Sequence, residues 1–218
     1  MNIEISENFL NVIHSSHSIL IEKTQNSYDN IQIIILLDIS GSMKGNMEEM
    51  IQSINKFVSD QQKQFNNDNI QISFIQFNDT LFVDKTNLCI NLATFPILKE
   101  ADYKANGSTK LYDAMGTVFD YFEQCKNSVI FTIITDGVDN SSKFYNLDYI
   151  KKKINEKQNK DQNNWIFHYL CASLEGFQIG NQMGVISNIQ SSPSNLSNIV
   201  SSLISLKVTN SINSLYIY

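Results

Sequence analysis

The chain has 218 residues, 42% of them hydrophobic, with 16 basic residues against 22 acidic ones and a formal net charge of -6. This is enough length and apolar content for one large or two small domains with a proper core. The acidic balance excludes a basic face that captures nucleic acid nonspecifically, and because all 16 basic residues are lysine, the forked arginine contacts to phosphate and guanine are excluded too.

In chain order, residues 1–30 form an N-terminal extension or edge element, with Phe9, Leu10, Val12 and Ile13 suited to a short helix and Ser18 to Glu22 to a strand. The organising stretch comes next. Ile33, Ile34, Ile35, Leu36 and Leu37 run without a polar interruption, as in a strand covered on both faces at the centre of a parallel sheet. The run ends at Asp38, and Ser40 and Ser42 follow at alternate positions before Gly45. Met47, Met50, Ile51, Ile54, Phe57, Val58 and Phe65 then recur at helical steps, predicting an amphipathic helix over 44–64. Residues 70–77 alternate around Ile72, Phe74 and Phe77, and the Asn78-Asp79 turn into 80–84 predicts a hairpin with an antiparallel strand at the sheet edge. Residues 85–105 carry weak signals, broken by Pro96.

Asn106-Gly107-Ser108-Thr109 is a turn, and Leu111, Met115, Val118, Phe119 and Phe122 after it keep helical register until Asn127. A second apolar strand, 129–135, also stops at an aspartate, Asp136. A helix over 147–160 with Lys151, Lys152 and Lys153 outside, a strand from Trp165 to Leu170, a short helix over 176–183, a last strand over 185–189 and a closing helix over 196–206 complete the pattern. Such alternation predicts an α/β fold, a Rossmann-like three-layer sandwich with a mostly parallel central sheet, one antiparallel edge strand and helices on both faces. The domain is expected to span 31–206, leaving 207–218 as a tail.

Parallel sheets bind ligands beyond the carboxyl ends of their strands, where Asp38, Ser40, Ser42 and Asp136 fall, and Thr109 is delivered by a loop between them. Two carboxylates 4 to 5 Å apart repel by about 3 kcal/mol at an effective dielectric near 20. A shared proton with a raised pKa or a divalent cation offsets that repulsion. Three added hydroxyls favour a cation seeking about six oxygen ligands, hence Mg²⁺, Mn²⁺ or Ca²⁺ rather than zinc or copper. The bland reading is that Asp38 caps the following helix and the serines solvate a turn.

These residues carry a resemblance. Asp38-Ile-Ser40-Gly-Ser42, Thr109 in Gly107-Ser-Thr109, and Asp136 in Thr135-Asp136-Gly137 look like the complete metal-ion-dependent adhesion site of the von Willebrand factor type A domain family. Thr109-Lys-Leu111-Tyr-Asp113-Ala114, Asp136-Gly-Val-Asp-Asn140-Ser-Ser, and the Trp165 strand ending in Cys171-Ala-Ser are similar to its stand-alone bacterial-type members. The resemblance covers about 31–205. It implies a Rossmann-like sheet with Mg²⁺ at its upper rim, ligated directly by Ser40, Ser42 and either Thr109 or an aspartate, and through water by the rest. It also implies a partner protein whose Asp or Glu completes the coordination sphere, while the charge balance argues against nucleic acid and the lack of a long apolar segment against membrane insertion. Met43, Lys44, Lys110, Tyr112, Asp139 and Lys143 are the rim residues expected to set partner choice.

Two rivals stand beside this non-enzymatic reading. A phosphotransferase of haloacid-dehalogenase type would use Asp38 as nucleophile, but it needs a second acid two residues on, and that position is Ser40. A metal-free structural subunit would keep the fold and drop the ion. No G-x-x-x-x-G-K-[ST] occurs, and His14, His17 and His168 show no ligand spacing, His168 reading as a core residue. Cys89, Cys125 and Cys171 lie far apart in no metal spacing and read as reduced thiols. No signal-peptide pattern opens the chain and no segment reaches 18 apolar residues, so a soluble cytoplasmic protein is expected.

Overall fold

A computed structural model of the chain describes residues 30–64, 69–82, 87–158 and 165–190. The readings for 1–29 and for the closing helix over 196–206 lie outside the described residues.

Strand β1, Ile31–Asp38, is buried at every position, as its unbroken Ile and Leu run requires. A short 3-10 turn, Gly41–Gly45, precedes helix α1, Met47–Gln64. The helix therefore starts three residues later than the periodicity predicts, because Met43 closes the turn with its backbone bonded to Ser40 and Asn46. Strand β2, Ile70–Phe77, lies parallel to β1. On the far side of β2 the predicted antiparallel edge is built in two short pieces, β3, Leu81–Phe82, and β4, Ile90–Asn91. After two 3-10 turns, helix α2 spans Leu111–Tyr121 and strand β5 spans Ser128–Thr135. Helix α3, Leu147–Gln158, strand β6, Trp165–Cys171, helix α4, Leu174–Met183, and strand β7, Ser187–Gln190, complete the described chain.

The sheet runs β3-β2-β1-β5-β6-β7, with β4 pairing β2, and the β2, β1, β5, β6 and β7 pairings are all parallel. It is a mostly parallel α/β sheet with helices on both faces. Side chains alternate across it. Ile33, Ile35 and Leu37 meet Met47, Ile51, Ile54 and Phe57 of α1 in one core. Ile34 and Leu36 face Met115, Val118 and Phe119 of α2 and Ile150 and Ile154 of α3 in the other. Phe119 meets Phe131 and Phe167 edge-on at 5.9 Å in that second core, the preferred geometry of aromatic pairs.

His168 is buried as a core residue, its Nδ1 within 2.9 Å of Ser187 Oγ. All three cysteines are free. No helix among the described residues is long and apolar enough to cross a membrane.

Candidate metal centre

β1 and β5 are neighbours in register, with Leu37 opposite Ile134, so the next step brings Asp38 beside Thr135 and lets both chains leave the sheet at one edge. Asp38 is fully buried there. Its Oδ1 accepts the backbone N–H of Ser40 at 2.7 Å, and its Oδ2 accepts the hydroxyl of Thr135 at 2.6 Å. Burial pushes the Asp38 carboxyl above the usual carboxylate range, against the Thr135 and Ser40 hydrogen bonds, and the nearby Asp136 charge pushes the same way.

Ser40 and Ser42 project to one side of the turn. Their hydroxyls lie 3.1 Å apart, and Ser42 donates to Asp136 Oδ1 at 2.7 Å across 94 residues of sequence. Thr109 is buried, and its Oγ1 lies 3.9 Å from the position a Cβ would occupy on Gly137. The structure thus links Asp38 to Ser40, Ser40 to Ser42, and Ser42 to Asp136 by hydrogen bonds, and sets the Thr109 hydroxyl against the residue after Asp136.

Three loops are tied to one another to make this arrangement. Gly41 N–H donates to Gly107 O at 3.1 Å and Asn106 N–H to Ile39 O at 2.9 Å. Gly107 takes φ +74, and a Cβ there would lie 3.0 Å from Asp79, which explains glycine at that turn. Asn78, buried at the end of β2, donates from Nδ2 to Asn106 O at 3.0 Å and Oδ1 at 2.8 Å and accepts Thr80 N–H at 2.8 Å. Its own carbonyl accepts Lys110 N–H at 2.9 Å, so one asparagine holds the turn that delivers Thr109. Asn140 closes the other side, its Oδ1 accepting Thr109 N–H at 2.9 Å and its N–H donating to Thr109 O at 3.0 Å. Asn78 and Thr135 were not legible as functional residues. Asn-Asp turns are common, and a threonine ending a strand gives no sign that its hydroxyl meets a carboxylate 97 residues away.

The expected rim is corrected in part. Met43 is buried in the α1 core at 2% exposure, because the 3-10 turn rotates it inward. Asp139 turns toward the protein, accepting Tyr112 N–H at 3.2 Å and the Ser142 hydroxyl, so it caps α2. Tyr112 is half-buried, Lys110 partly so, and Lys44 and Lys143 are exposed.

The donors suit a hard divalent cation. No group of three His, Cys, Asp or Glu side chains that could hold a metal occurs among the described residues. The oxygen donors at this edge are the two carboxylates and the serine and threonine hydroxyls, a set whose chemistry is of the kind Mg²⁺ takes. Each Asp38 oxygen accepts one hydrogen bond, which leaves a lone pair on each for a further partner.

Solved structures share the fold. A pilus adhesin, SpaC, from Lactobacillus rhamnosus GG matches with TM-score 0.60 and 14% identity over 88% of this chain and 31% of its own. The von Willebrand factor domain of the type V pili tip protein Mfa5 from Porphyromonas gingivalis gives TM-score 0.59 and 11% identity over 84% of this chain and 97% of its own. Proximal thread matrix protein 1 from the mussel byssus, with zinc in its metal-ion-dependent adhesion motif, gives TM-score 0.55 and 17% identity over 80% of this chain and 48% of its own. The chain thus spans about a third of the pilus adhesin and half of the thread matrix protein. No curated protein sequence matches it significantly. The sequence profile of the von Willebrand factor type A domain matches residues 32–194, most of the chain and all of the described sheet but Ile31, and the protein belongs to that family.

Proposed function

We propose that this domain is a divalent-cation-dependent protein interaction module. Asp38, Ser40, Ser42, Thr109 and Asp136 hold the cation, Mg²⁺ in the first instance and Mn²⁺ or Ca²⁺ by the same oxygen chemistry. The observation that carries this reading is the Ser42 hydroxyl, hydrogen-bonded to Ser40 on one side and to Asp136 on the other. It gathers donors from two strand ends above the buried Asp38 carboxylate. The ionised form of that carboxylate is opposed by burial and by Asp136, and a cation offsets both.

When bound, the ion supplies a positive charge that an Asp or Glu of a partner protein can reach. The protein's own part is to fix the oxygens and to exclude water beneath them, which strengthens a charge-assisted contact at the rim. Lys44 and Lys143, exposed beside this edge, add positive charge that favours an acidic partner surface. A pilus adhesin, a pilus tip protein and a thread matrix protein among the structural neighbours favour adhesion over catalysis, as does Ser40 at the position where a phosphotransferase would need its second acid.

Thermal unfolding with Mg²⁺ or Mn²⁺ against a chelator tests this. Binding to the folded state stabilises by about 2.7 kcal/mol at a hundredfold excess over Kd, so the melting temperature rises in wild type and not in Asp38→Ala. An unchanged wild-type melting curve contradicts the cation site.

A further inference from the structure

We propose that the cation site is positioned from helix α2, with Asp113 and Tyr145 as positioning residues that fix the loop carrying Asp136 without touching any of the five oxygen donors. This rests on reading those donors as a cation site.

The loop 136–146 leaves β5 at Asp136 and ends at α3. Near its start, Asn140 exchanges two hydrogen bonds with the backbone of Thr109, so Asp136 and Thr109 move with the same loop. Its far half is fastened by Asp113, in the first turn of α2 and 8% exposed. The Asp113 carboxylate accepts three consecutive backbone N–H groups, Lys143 at 2.9 Å, Phe144 at 2.8 Å and Tyr145 at 3.0 Å. The exchange is reciprocal. Asp139 of the loop accepts the α2 backbone N–H of Tyr112, and Ser142 accepts Asp113 N–H at 2.9 Å while donating to Asp139. A helix carboxylate holds the loop, and a loop carboxylate holds the helix.

The second fastening is a seat for an aromatic ring. A Cβ on Gly116 would stand 2.3 Å from Tyr145 Cγ and 2.5 Å from two further ring carbons, so the Tyr145 ring rests on bare α2 backbone. Its hydroxyl donates to Asp120, which also accepts the Tyr149 hydroxyl at 3.0 Å. The loop thus has one end at the oxygen donors and the other locked to α2 one and two turns along. Displacing the locked end shifts Asp136, and through Asn140 pulls on Thr109, relative to Ser40 and Ser42 in the turn that follows β1. Groups bonded directly to metal ligands change affinity by about 10- to 100-fold, and Asp113 and Tyr145, one step further out, act at or below the lower end of that range.

Calorimetric titration of the full chain with Mn²⁺, paired with urea unfolding in chelator, reads the two effects separately. Asp113→Asn, Gly116→Ala and Tyr145→Ala are each expected to weaken Mn²⁺ binding by about three- to tenfold. Gly116→Ala with Tyr145→Ala should be no weaker than the worse single variant, since both act on one seat. A merely structural role would lower the unfolding midpoint in chelator and leave Mn²⁺ affinity unchanged, and that result overturns the inference. If Gly116→Ala does not fold, Asp113→Asn, which preserves side-chain shape, and Tyr145→Ala decide by the same affinity. Wild-type binding that Asp38→Ala abolishes but Asp113→Asn and Gly116→Ala retain overturns the positioning role alone. Wild type that binds no Mn²⁺ overturns the cation reading and this inference with it.

Discussion

Thr135 donates its hydroxyl to the inner oxygen of Asp38 at 2.6 Å while accepting the N–H of Gly137 at 3.1 Å. One side chain thus orients the buried carboxylate and the first turn of the loop bearing Asp136. Thr135→Val keeps the shape and deletes both bonds, leaving a buried carboxylate oxygen without its donor at a cost of about 1–3 kcal/mol. Urea unfolding at neutral pH should show that loss, and Thr135→Ser should restore most of it.

The same carboxylate makes stability depend on pH with a defined sign. Burial raises the Asp38 pKa in the folded state, above the unfolded value of about 3.9, so the native protein binds the proton more tightly. Its contribution is fully present below the unfolded pKa and is lost as pH rises through the folded one. In chelator, wild type should lose stability relative to Asp38→Asn as pH rises across that window. With Mg²⁺ present the gain from the ion should grow over the same range, because the ion requires the ionised carboxylate. Unfolding midpoints at a series of pH values, wild type against variant, check both slopes, and parallel curves would contradict them.

How much of this was readable in the chain follows from the range of each signal. Ile33 to Leu37 and Val129 to Ile134 declare buried strands because a parallel core strand needs apolar side chains on both faces, and each run points to the aspartate that ends it. Ser40 and Ser42 are close to Asp38 in sequence, so they were legible with it. The fastening of the loops was not. Asn78 to Asn106, Thr109 to Asn140 and Asp113 to Lys143 join residues 28, 31 and 30 apart, and a polar residue in a turn gives the same signal whether it meets water or another loop. Boundaries moved for local reasons. Helix α4 begins at Leu174 rather than 176 because the Ser173 hydroxyl accepts Gly176 N–H as an N-cap. The last strand begins at Ser187, not 185, because Gly184 in the left-handed region ends α4 and Val185 N–H still bonds Gly180 O.

Ser42 is exposed yet bridges Ser40 and Asp136, so stability and ion response should separate there. Ser42→Ala should change the chelator-state stability by no more than about 0.5 kcal/mol, as for an ordinary surface substitution, while the Mg²⁺-induced rise in melting temperature largely disappears. A full response to Mg²⁺ in this variant would remove Ser42 from the donor set.

Asn78 should behave in the opposite way. Its amide is buried at 1% exposure, holds the turn before Thr109 through two hydrogen bonds to Asn106, and accepts a third from Thr80 N–H. Asn78→Ala leaves partners unpaired and should cost about 1–3 kcal/mol, measured by urea unfolding in chelator, with weaker Mg²⁺ stabilisation besides.

Anomalous diffraction from crystals grown with Mn²⁺ would locate the cation itself. One strong peak is expected at the carboxyl edge of the sheet, within bonding distance of the Ser40 and Ser42 hydroxyls and beside Thr109 and Asp136, absent in Asp38→Ala. No peak there in wild type, or a peak held by other side chains, would contradict the cation site.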